Sequence, residues 1–139
     1  MLGRVVIVID ASSLTKFLLK EERWDDVEPY LRINPVSVDY VFLEAANAIW
    51  KESVVRNRIT GARALETLHD LKKMKDYVFE TEPFTEHLDE GFTIAANEKI
   101  SVYDAVYIDM SKKHDGLLTS DKGQRDAALR VGAKVIYVP

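Results

Sequence analysis

Four acids in this chain fall where a parallel sheet could gather them. Asp10 follows the run Val5-Val6-Ile7-Val8-Ile9, and Glu44 sits near the start of a long segment with an apolar stripe. Asp104 is fourth in Ser101-Val102-Tyr103-Asp104, and Asp121 follows Leu117-Leu118-Thr119-Ser120. Each has an ordinary use. The positive end of a helix dipole favours an acid such as Glu44, Ser101-x-x-Asp104 fits a capping box, and Asp10 or Asp121 can cap the helix behind it. Together they point further. Carboxylates that approach one another repel and raise one another's pKa, so a group of them is best tolerated around a cation. Oxygen donors with no Cys or His among them suit Mg²⁺ or Mn²⁺ rather than zinc. The usual companion of Mg²⁺ held by a few carboxylates is a phosphate, and the matching chemistry is in-line attack of activated water on a phosphodiester.

The elements that must position these acids can be read from periodicity. Five β-branched residues from Val5 to Ile9, with no polar alternation, predict a strand buried on both faces, as in a helix-covered parallel sheet. Further strands are expected at Val36–Val38, Tyr77–Phe79, Leu117–Thr119 and Val135–Val138. Helices are expected from Ser12 or Ser13 to Lys20, Trp24 to Leu31, Tyr40 to Arg56, Gly61 to about Lys75, Pro83 to Lys99, Ser101 to His114 and Lys122 to Val131. Phe42, Ala45, Ala46, Ile49 and Trp50 are assigned to the buried side of the third helix, with Glu44 and Asn47 sharing another face. Leu65, Leu68, Leu71 and Met74 form an apolar stripe, and Phe84, Leu88, Phe92 and Ala95 another. Strands alternating with helices predict an α/β fold, a five-stranded parallel sheet flanked by helices in three α/β/α layers with right-handed crossovers. Ligands in such sheets sit beyond the carboxyl ends of the strands, where Asp10 falls.

The chain's 139 residues are the size of one domain, here taken as 1–139. The 47% hydrophobic and 30% charged balance suits a globular fold, and no apolar run is long enough to span a membrane. The absence of cysteine excludes disulfides, thiolate metal sites and cysteine nucleophiles, and fits a cytoplasmic setting. A net charge of −4 would argue against a nucleic-acid partner, but the charge is polarised. Residues 51–75 hold seven bases against three acids, a balance of +4, whereas residues 80–109 hold eight acids against one base, a balance of −7. The basic stretch is compatible with phosphate contact, although solvated helix faces are the simpler reading of each residue.

Val8-Ile9-Asp10-Ala11-Ser12, Glu44-Ala45-Ala46-Asn47, Tyr103-Asp104-Ala105-Val106-Tyr107 and Leu117-Leu118-Thr119-Ser120-Asp121 resemble, in order and spacing, the motifs of PIN-domain ribonucleases. The chain looks most like their VapC-type members, the toxins of prokaryotic toxin–antitoxin pairs. That resemblance implies an endoribonuclease dependent on Mg²⁺ or Mn²⁺. It assigns metal binding and water activation to Asp10, Glu44, Asp104 and Asp121, and supporting hydrogen bonds to Ser12, Asn47 and Thr119. It implies an RNA substrate, a cognate antitoxin that blocks the site, and a homodimer or higher even oligomer. Asp126 lies too far round its helix from Asp121 to share its face and is left out.

Two other functions compete with this one. A receiver- or phosphatase-like Mg²⁺-binding domain needs a phosphoacceptor aspartate or a D-x-D loop, and neither the Phe79-Glu80 end of the third strand nor Asp10-Ala11-Ser12 provides one. A non-catalytic RNA- or protein-binding module is disfavoured by the intact acids. No Ser has an evident His partner, and no glycine-rich phosphate loop follows the first strand. His69, His87 and His114 lack ligand spacing and read as surface or partly buried side chains; Trp24 and Trp50 read as packing residues.

Overall fold

The first strand is central because its residues can be buried on both sides. In the computed structural model, which describes residues 4–139, Val8 and Ile9 form β1 and are wholly buried. Ladder bonds continue beyond them: Asp115 N–H donates to the Val6 carbonyl, and Asp10 N–H to the Leu118 carbonyl. The other strands are β2 (Val36–Val38), β3 (Glu80–Glu82), β4 (Leu117–Thr119) and β5 (Val135–Tyr137). Their order is β3-β2-β1-β4-β5, and every pairing is parallel. The register sets Val8 beside both Val36 and Leu117. It therefore brings Asp10 level with Thr119 at the carboxyl ends of β1 and β4.

Seven α-helices cover the sheet: α1 (Ala11–Leu18), α2 (Trp24–Leu31), α3 (Val41–Trp50), α4 (Gly61–Tyr77), α5 (Leu88–Glu98), α6 (Val102–Lys112) and α7 (Lys122–Arg130). A π turn, Lys51–Val55, prolongs α3, and a 3₁₀ turn, Phe84–His87, precedes α5. The path β1→β2→β3 runs one way across the sheet and β3→β4→β5 returns. Right-handed crossovers therefore put α1–α4 on one face and α5–α7 on the other. The packing agrees: α1 meets α2 and α3, α3 meets α4, and α5 lies along α6. The reversal between β1 and β4 is the topological switch point, where an open α/β sheet leaves a crevice. Between the layers lie Leu14, Val27, Val41, Tyr107, Ile108, Met110 and Leu118, all fully buried or nearly so. Among the described residues, no helix is long and apolar enough to cross a membrane.

Several local expectations change. The third strand is not Tyr77–Phe79: α4 runs through Tyr77, which is 85% exposed, and the strand forms at Glu80–Glu82. Trp50 does not join the core and is 50% exposed, and Phe92 also faces solvent. The α4 stripe divides, with Leu71 buried and Leu65 exposed.

Candidate active site

Asp10 is placed by the end of β1 and held by the start of α1. Its backbone is extended, and its carboxylate caps α1 by accepting the Ser13 N–H at 3.0 Å. The same Oδ1 accepts from Ser12 Oγ at 2.7 Å and Ser13 Oγ at 3.0 Å, while Oδ2 accepts from Thr119 Oγ1 on β4. Ser12 Oγ in turn accepts the Ser120 N–H at 2.9 Å, and Thr119 Oγ1 accepts the Asp121 N–H at 3.1 Å. Hydroxyls thus stitch the ends of β1 and β4 together and aim the carboxylate. Asp10 is only 3% exposed, and burial pushes its pKa above the usual value, although the bonds from Thr119, Ser13 and Ser12 oppose that rise.

Glu44 lies in the first turn of α3, and its Oε1 accepts from the buried Tyr107 hydroxyl at 2.6 Å. Burial raises its pKa, the Tyr107 bond lowers it, and the charges of Asp104 and Asp10 raise it further. Asp104 lies in the first turn of α6, where Ser101 Oγ accepts its N–H at 3.1 Å, the cap half of the expected box. Burial and the nearby Asp121 charge raise its pKa. Asp121 caps α7, accepting the Gly123 N–H at 3.2 Å. So the ordinary capping roles of Asp10 and Asp121 are realised while four carboxylates from four elements share one field: Asp10 acts on Glu44, Asp104 on Glu44, and Asp121 on Asp104.

The group is open rather than tight. Among the described residues, no three of these acids bring ligand atoms within 4.8 Å of one another; the trio that does is Glu82, Glu86 and His87. Ser12 and Thr119 bond to Asp10 as expected, whereas Asn47 lines the groove beside Glu44 with no hydrogen bond to any of the four carboxylates among the described residues. Asp126 pairs with its neighbour Arg125. The groove runs past Ser12, Glu44 and Ser120 to Lys51, Arg56 and Asp121, so cations border the acids. A separate hollow lined by Tyr40, Phe84, Leu88, Val102, Tyr103 and Val106 is apolar and contains no acid.

Sequence reasoning missed two groups that shape the site. Ser13 bonds to Asp10 through both its N–H and its hydroxyl. Tyr107 orients Glu44; its spacing three residues beyond Asp104 puts the two on one helix face, and that signal was readable. Of the histidines, His69 is exposed and His114 partly buried, as expected, whereas His87 is only 3% exposed and, like His114, contacts Glu82.

Comparison with known proteins agrees with the fold. The family model of the PIN domain matches residues 7–129. Ribonuclease VapC3 of Pyrobaculum aerophilum is 28% identical over 119 residues, covering 84% of this chain and 89% of that protein.

Proposed function

The chain belongs to the PIN-domain family, and from that premise we propose that it is a divalent-metal-dependent endoribonuclease, the toxin of a toxin–antitoxin pair. The observation that carries this reading is the convergence of Asp10, Glu44, Asp104 and Asp121 beyond the carboxyl ends of the strands, beside Lys51 and Arg56. The name of the VapC3 relative supports RNA as the substrate.

The donor set fits Mg²⁺ or Mn²⁺. It is all oxygen, and Mg²⁺ keeps much of its water and takes only one or two carboxylates directly, so the open spacing does not bar it. The four acids would hold the ion or ions, which when bound would supply a lowered pKa for the attacking water and charge neutralisation at the phosphodiester. The protein's own part is positioning. Thr119, Ser12 and Ser13 leave the Asp10 carboxylate little freedom, and Tyr107 does the same for Glu44. Raised pKa values at Asp10, Glu44 and Asp104 express first the burial of these carboxylates and, at Glu44 and Asp104, also the negative charges beside them, costs that a cation relieves. Lys51 and Arg56 would meet phosphates flanking the cut.

Asp10→Asn should fold, by circular dichroism, and lose Mn²⁺-dependent RNA cleavage. A folded variant cutting at the parent's rate, or parent cleavage unaffected by EDTA, refutes the assignment. The toxin reading expects growth arrest of a cytoplasmic host, rescued by a small protein encoded next to it. Exposed Trp50, Val54 and Leu65 support a homodimer, which sedimentation velocity reads directly.

A further inference from the structure

We propose that His87, His114, Glu82 and Glu86 form a second metal site, selective for a borderline ion such as Zn²⁺ and sharing no ligand with the four acids. Glu82 ends the edge strand β3, Glu86 and His87 lie in the 3₁₀ turn behind it, and His114 follows α6. Two imidazole nitrogens converge on one carboxylate: His87 Nε2 lies 2.7 Å from Glu82 Oε1, and His114 Nε2 lies 2.7 Å from Glu82 Oε2. Ligand atoms of Glu82, Glu86 and His87 all lie within 4.8 Å of one another. Donors on a tetrahedral zinc ion stand about 3.3 Å apart, given bonds of roughly 2.0–2.2 Å. The separations within the Glu82, Glu86 and His87 trio bracket that value; His114 Nε2 stands outside the trio, bonded to Glu82 Oε2, and swings in as the fourth donor.

A separate feature supports ligation. His87 Nδ1 lies 2.8 Å from the carboxylate of buried Asp109, which Lys113 Nζ also contacts at 3.0 Å. Metal-binding imidazoles are characteristically held this way, with one ring nitrogen bonded to a carboxylate and the other facing the ion. Burial fixes the ring, while Glu82 and His114 remain partly exposed and give the ion a way in. Two nitrogens with carboxylate oxygens favour Zn²⁺, unlike the all-oxygen set of Asp10, Glu44, Asp104 and Asp121. Binding would release any proton on either Nε2, and it would tie the edge strand to the end of α6.

Cobalt and zinc titrations of the metal-free, full-length protein test this. One equivalent of Co²⁺ should give an intense visible d–d band that Zn²⁺ abolishes, retained in Asp10→Asn and lost in His114→Ala. Zn²⁺ should raise the melting temperature of the parent and of Asp10→Asn by about 5 °C, and that of His114→Ala not at all. Glu86→Ala is the second variant: it removes an exposed side chain with no ion pair among the described residues, so it should fold as the parent does and bind Zn²⁺ roughly tenfold more weakly. An unchanged cobalt spectrum in His114→Ala overturns the site. So does a His114→Ala melting temperature that falls equally with and without zinc, which identifies an ion-pair network only.

Discussion

Burying a carboxylate to 3% exposure costs free energy even when its oxygens are well bonded, and Asp10 carries that cost. The sign of its pH dependence follows. The folded pKa lies above the unfolded value of 3.8, so between the two the unfolded chain has released a proton that the folded state retains. Stability from this group therefore falls as pH rises through that window, and the penalty is complete above it. Asp10→Asn should accordingly melt about 3 °C above the metal-free parent at pH 8, with the gap closing towards pH 4; calorimetry in EDTA across that range measures it. A gap that widens on acidification contradicts the burial argument. Tyr107 is the complementary case. Removing its hydroxyl with Tyr107→Phe leaves burial and the neighbouring charges to raise Glu44 further. The acid limb of the pH–rate profile should move up, with cleavage falling about tenfold at pH 6 and less at pH 8. An equal loss at both pH values would mean that Tyr107 matters only for packing. The acids were legible because strand ends and helix starts declare themselves in sequence. Tyr107 lies within one of the four motifs, on the same helix face as Asp104, and Ser13 lies beside another, but which atoms they bond to depends on side-chain direction.

Helices α5 and α6 lie against each other closely enough that one glycine decides their separation. A methyl on Gly91 would stand 3.1 Å from Val106 Cγ2 and 3.4 Å from its Cα. Val106 is buried and cannot retreat, so the overlap outweighs the gain in helix propensity of about 1 kcal/mol. Gly91→Ala should lower stability by roughly 1–2 kcal/mol in urea titrations and reduce cleavage as well, because α6 also carries Asp104 and Tyr107. Element positions were mostly readable, and the exceptions share a cause. Tyr77-Val78-Phe79 is apolar enough to look like a strand, but α4 continues through Tyr77. The real strand, Glu80-Thr81-Glu82, is polar because it is the sheet edge, where charged side chains discourage further pairing. It is recognised only by backbone bonds, from Glu80 N–H to the Pro35 carbonyl and from Asp39 N–H to the Glu82 carbonyl. Trp50 misled for a related reason. Periodicity gave α3 an apolar side wide enough to include it, but α3 is already buried through Phe42, Ala45 and Ile49. His87 and His114, on opposite sides of α5 and α6, meet through a crossover that sequence spacing does not measure.

At the scale of the whole molecule, a net charge of −4 opposes approach by a polyanion, so attraction has to be local. The groove supplies it through Lys51 and Arg56, which border the acids. The two cations differ in how committed they are. Arg56 is bonded to the buried Glu52 at 2.6 Å, which also draws Arg58 to 3.6 Å, so part of its charge is already answered. Lys51, exposed beside Ser12 and Asn47, is better placed to meet phosphate. Each phosphate contact releases counterions and steepens the salt dependence of binding by about one in the logarithmic slope. Lys51→Ala in the non-cleaving Asp10→Asn background should therefore weaken RNA binding several-fold at low salt, by a similar factor for unrelated sequences, and flatten that slope by about one. Fluorescence anisotropy over a salt series reads both quantities. A loss confined to one RNA sequence would assign Lys51 to base recognition, and an unchanged slope would move the RNA path off this groove.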